Sequence, residues 1–151
     1  MTYTKLGGEG LALTTKDFKQ LRETRDPSAR AAVARKISVH IENASYSSDE
    51  YRLACEIATM LQQDKHVQVR LALSEGLQHS HNAPKEVVIM LAHDEEEAVA
   101  VPILKHSDLL SEGDLLEIVE ATQQILRLIA IAERKPLSDS LVEALIEKLV
   151  E

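Results

Sequence analysis

From Thr15 onward, apolar residues recur mostly at intervals of three and four. That spacing describes helices buried along one side. Start signals divide the pattern. Thr15 opens a short helix through Thr24, with Asp17 in its first turn. Asp26-Pro27 then restarts the chain, Asp as the cap and Pro at the first helical position, for a helix to about Glu42. Ser48 opens a helix reaching Gln63. Asp64 caps the stretch through Leu77, Pro84 opens the next one, Asp94 caps a helix to His106, and Ser111 caps "EGDLLEIVE". A helix from about Gln123 to Arg134 follows, and one more after Ser138. Every connection is short, and the sequence predicts an all-α chain of roughly nine helices.

Several of these helices repeat one another. "ARAAVARKI" from Ala29, "VRLALSEGL" from Val69, "VAVPILKHS" from Val99 and "LRLIAIAER" from Leu126 stack without gaps, with apolar residues at the first, third and fifth positions. The second position reads Arg30, Arg70, Ala100 and Arg127, spaced by 40, 30 and 27 residues. The helices between the copies each begin at a capping residue or Pro and then turn apolar. A two-helix unit repeated about four times predicts a right-handed α-α superhelix, in which stacked neighbours bury what a single hairpin leaves bare. The drifting period excludes tetratricopeptide and ankyrin arrays and fits the HEAT and armadillo group.

Composition sharpens this picture. With one Phe, three Tyr and no Trp, the core is aliphatic, as closely packed helices allow. Twenty-five acidic against 17 basic residues give a net charge of −8, which disfavours nucleic acid as a partner. A single cysteine, Cys55, forms no internal disulfide and fits a reducing compartment. No apolar run approaches a membrane span, and the N-terminus lacks a secretory pattern, so the expected location is cytoplasmic. Residues 1–14, which include "GGEG", read as a flexible lead-in; the Lys-Ser/Thr pair of a phosphate loop is missing after the glycines. Residues 15–151 read as the repeat domain.

The "DKHVQVRLAL" unit resembles a HEAT repeat. The longer run "PKEVVIMLAHDEEEAVAVPILKHSDLLSEGDLLEIV", with "LRLIAIAERKPLSDSLVEALIEKL" after it, resembles the alphaproteobacterial HEAT-like domain of unknown function family 2336. "LTTKDFKQL" and "DPSARAAVARKI" resemble its start, so the likeness covers about Leu13 to Leu149. It implies a bacterial α-solenoid, the N-terminal part of a longer protein, and it implies no activity and no cofactor.

Candidate sites follow from the repeat. Arg30, Arg70 and Arg127 line up along one surface. They either pair with the turn carboxylates Asp26, Asp64 and Asp94 as a structural ladder, or form a guanidinium stripe for a partner. Ala100 and Ala121 break the pattern, which leaves Arg127 as the arginine expected to be free. His40, His79, His81 and His106 fall at turns and helix ends. Their spacing is poor for a metal, because adjacent units lie roughly 10 Å apart. The carboxylates from Asp94 to Glu97 read as a helix start, and Cys55 as a packed residue. Pro102 should bend its helix. At the C-terminal end, Leu141, Val142, Leu145, Ile146 and Leu149 form an apolar face that a polar cap should have replaced. Either further chain or a second copy is expected to cover it. The predicted function is a protein-interaction scaffold, with no catalytic residue, no metal and no cofactor. The alternatives are a HEAT-like enzyme acting on nucleic-acid bases or a chromophore, and a signalling adaptor with His40 as phosphoacceptor.

Overall fold

A computed structural model describes residues 15–150. Nine helices appear among them and no strand: α1 (Thr15–Glu23), α2 (Pro27–Asn43), α3 (Asp49–Gln62), α4 (Val67–Leu77), α5 (Lys85–Ala92), α6 (Glu97–His106), α7 (Glu112–Ala121), α8 (Ile125–Ala132) and α9 (Asp139–Val150). The expected lead-in lies outside the described residues.

Most helix starts are those the sequence marks. Asp26 accepts from the Ser28 amide at 3.1 Å with Pro27 behind it, and Ser48 accepts from the Tyr51 amide at 3.0 Å. Ser111 and Asp114 form a reciprocal capping box. Two caps move. Asp64 and Asp94 each sit two residues before the N-cap, accepting the amides of His66 and Glu96 at 2.9 Å, so α4 and α6 begin later than the sequence suggests. Helix α6 runs on through Pro102.

The helices pair as hairpins, α1/α2, α3/α4, α5/α6 and α7/α8, with α9 beginning a fifth. The second helices pack on one another in succession, α2 on α4, α4 on α6 and α6 on α8, while α3 meets α5 and α7 meets α9 in the other layer. A helix held between two neighbours and its own partner must be apolar around most of its girth. Helix α4 buries Val69, Ala72, Leu73 and Leu77, and even its Arg70 and Ser74 are inside. Each fully buried Leu or Ile contributes about 1.5–3 kcal/mol relative to exposure. The seam between α2 and α4 is closed by small side chains: a Cβ on Gly76 would come within 2.2 Å of Ser38 Oγ. From α4, Ser74 Oγ donates to the Val99 carbonyl of α6 at 2.5 Å.

Candidate functional site

The arginine stripe is a buried ladder. Arg30 on α2 donates from Nε to Asp64 Oδ2 at 2.5 Å, and from Nη1 to the Leu21 and Thr24 carbonyls at 2.5 and 3.2 Å. Arg70 on α4 repeats the arrangement one unit on. Its Nε and Nη2 reach Asp94 Oδ2 and Oδ1 at 2.8 and 3.2 Å, and its Nη1 donates to the Asp64 carbonyl at 2.7 Å. Each arginine thus ties the turn of its own hairpin to the turn carboxylate of the next. Arg70 and Asp94 are 8 % and 7 % exposed, so this rung is buried, whereas Arg30 is part-buried. Burial alone would raise the Asp64 carboxyl, but hydrogen bonds from the His66 amide and Arg30 hold it below its ordinary value. The bidentate bond to Asp94 raises Arg70 against the pull of burial.

Two expected members sit elsewhere. Asp26 is an exposed N-cap, and the position equivalent to Asp64 and Asp94 is held by Thr24, whose Oγ1 accepts from the Asp26 amide at 3.4 Å. In the fourth hairpin that position is Thr122, not Ala121, and it accepts from the Gln124 amide at 3.1 Å. Counting from the N-caps Asp26, His66, Glu96 and Gln124, the ladder residues are Arg30, Arg70, Ala100 and Leu128, since each amide bonds back to its N-cap carbonyl. Arg127 is one residue early, a turn of about 100° around the helix. It therefore faces backward, donating to the Ala92 and Asp94 carbonyls and to Gln124 Oε1, and it is buried rather than free. The rung between the third and fourth hairpins lacks both members: Ala100 stands for the arginine and Thr122 for the carboxylate.

A further clasp escaped the sequence reading. Arg134 donates to the Leu104 and Ser107 carbonyls at 2.7 Å each, closing the C-terminus of α6 from the next hairpin, and burial lowers its pKa. The cue was present, because a basic residue beside a helix C-terminus meets unpaired carbonyls.

The histidines divide. His40, expected as an exposed phosphoacceptor, is fully buried. Its Nδ1 lies 2.7 Å from Glu50 Oε1 but off the direction of a hydrogen bond, so both ring nitrogens lack a directed partner. The rings of His79 and His106 meet at a tilt with centroids 4.6 Å apart, and burial, with His79, Lys105 and Arg134 nearby, lowers His106. No group of three ligating side chains occurs among the described residues. Burial raises the Cys55 thiol. No described helix is long and apolar enough to cross a membrane.

The five apolar residues expected at the C-terminal end divide by burial. Leu141 and Leu145 are 4 % exposed each and belong to the core, whereas Val142, Ile146 and Leu149 point outward. Helix α8 adds Ile125, Leu126 and Ile129, all exposed. Helix α9 packs on α7 and α8, and α8 on α6, so these exposed residues belong to the last two helices of the described stack.

Among comparisons with known proteins, the model of a family described as an uncharacterised protein conserved in bacteria, domain of unknown function family 2336, matches residues 99–151, about a third of the chain. No curated protein and no solved structure matches significantly.

Proposed function

We propose that this chain is a protein-interaction module, a HEAT-like scaffold that docks through the exposed apolar residues of α8 and α9. The exposed aliphatic face of Ile125, Leu126, Ile129, Val142, Ile146 and Leu149 carries this reading. Such a face normally marks an interface in a folded protein. The arginines lend it no support, since Arg30, Arg70 and Arg127 all bond to carboxylate, amide or carbonyl oxygens within the stack. A second copy is the partner inferred. On a chain of net charge −8, an uncharged apolar face is where two copies meet with least repulsion, and the same patch on each satisfies a twofold axis.

The test is sedimentation of the full chain across a wide concentration range, beside Leu126→Glu and Ile146→Glu. Dimers in the wild type and monomers in both variants, all with unchanged helicity, are expected. A wild type that stays monomeric at the highest concentration refutes self-association.

The enzyme reading has less behind it. Base chemistry calls for aromatic platforms. The tilted ring pair Tyr46 and Tyr51 instead bonds to the His81 and Asn82 carbonyls, holding the turn between α4 and α5. Phosphotransfer through His40 would require that buried ring to leave the core.

A further inference from the structure

At the opposite end of the stack from the apolar face, the turn between α1 and α2 and the turn between α3 and α4 enclose a hollow of about 600 Å³. Its lining includes Arg22, Arg25, Arg30 and Lys65, against a single carboxylate, Asp64; with His66 neutral, that is a formal charge of +3 on a chain of −8. Asp64 is already committed, with Oδ2 to Arg30 and Oδ1 to the His66 amide and ring. Arg30 is likewise spent on the ladder. Arg22, Arg25 and Lys65 make no hydrogen bond or ion pair among the described residues. The nearby carboxylate of Asp26 caps α2 instead. Three unpaired cations around one hollow repel one another, and nothing in the packing of the fold requires them there.

We propose that this hollow binds a small soluble oligophosphate, with Arg22, Arg25 and Lys65 as its ligands. Guanidinium groups present forked donors that match phosphate oxygens two at a time, and the ammonium of Lys65 adds a point charge. A phosphate chain concentrates several negative charges in a few ångströms, as a local charge of +3 demands. A single carboxylate does not. The volume lies within the range of small-molecule sites. Met60 provides an apolar contact for an organic group attached to the phosphates.

This site is independent of the apolar end, and the two readings stand or fall separately. The experiment is titration calorimetry of the full chain with sodium pyrophosphate, repeated with inorganic phosphate and with sodium chloride at matched ionic strength. Saturable one-to-one binding of pyrophosphate with a Kd below ~1 mM is expected, weakening as salt rises, with phosphate at least ~10-fold weaker. Arg25→Gln/Lys65→Gln should weaken binding at least ~10-fold while leaving the melting temperature unchanged or raised, because the replaced charges hold no contact. Lys65→Gln alone, at an exposed turn position, gives the same reading without touching α1. The proposal is overturned by absent saturable heat, by equal binding of phosphate and pyrophosphate, by variants that bind like the wild type, or by a Lys65→Gln protein with a lowered melting temperature.

Discussion

Arg70→Ala tests the ladder most directly. The substitution removes two bonds from the Asp94 carboxylate and one from the Asp64 carbonyl. It leaves Asp94, 7 % exposed, with only the Glu96 amide as a partner. Breaking a buried ion pair from one side costs about 3–5 kcal/mol, chiefly because the surviving charge is stranded away from water. For a chain of this length, a loss of that size lowers the melting temperature by roughly 10 °C. Replacing both partners is a different perturbation. Arg70→Ala/Asp94→Thr recreates the pairing found naturally at Ala100 and Thr122, and a threonine retains an oxygen for the Glu96 amide. Its expected cost is about 1–2 kcal/mol, below that of Arg70→Ala alone, so the two substitutions should couple by more than about 2 kcal/mol. Urea unfolding followed by far-ultraviolet circular dichroism measures all four corners of the cycle. An Arg70→Ala protein within about 1 kcal/mol of the wild type, or a double variant whose losses simply add, refutes the reasoning.

Other consequences are equally accessible. Gly76→Ala should destabilise by about 1–3 kcal/mol, because its Cβ would lie 2.2 Å from Ser38 Oγ and 2.7 Å from Ser38 Cβ; Ser38→Gly should restore much of the loss in a melting assay. Burial and neighbouring cations depress the folded-state pKa of His106, so the unfolded chain takes up its proton first as pH falls. The stability contributed by neutral His106 is therefore complete above about pH 6.5 and is lost as pH drops toward the folded value. His106→Gln should flatten melting temperature against pH in that window. Burial raises the Cys55 thiol, so iodoacetamide should alkylate it slowly in the native protein near pH 7 and rapidly in urea. Equal rates would mean that the seat of Cys55 on α3 is open.

Periodicity was enough to read the nine helices and their pairing, because a helix packed on two sides carries its environment in its own spacing. The Arg30–Asp64 and Arg70–Asp94 rungs were legible for the same reason: a charged pair buried by stacking must recur at the stacking interval. Arg127 was misread because a gapless match of apolar letters tolerates a shift of one residue. The burial of Arg127, Leu128, Ala130 and Ile131 matches that of Val69, Arg70, Ala72 and Leu73, and only the N-cap fixes this register. The apolar end was half seen. Helix α9 betrayed itself by a broad face, whereas the outward side of α8 reads like that of any internal second helix. Its exposure is set by its neighbours in space, which its own letters do not encode. The basic hollow was invisible, because Arg22 at the end of α1, Arg25 just after it and Lys65 lie about forty residues apart in a chain whose overall charge has the opposite sign.

The paired absence at Ala100 and Thr122 gives the hairpins a fixed order of succession. A hairpin ending in an Arg70-like residue can be followed only by one whose turn offers a carboxylate; a hairpin carrying Ala100 can be followed only by one that does not. Moving the fourth hairpin to follow the second would bury a guanidinium opposite Thr122, and repeating the second after the third would seal Asp64 behind Ala100. Although built from look-alike parts, the array is not a set of interchangeable modules. Duplication or recombination within it succeeds only where both faces of a junction are inherited together.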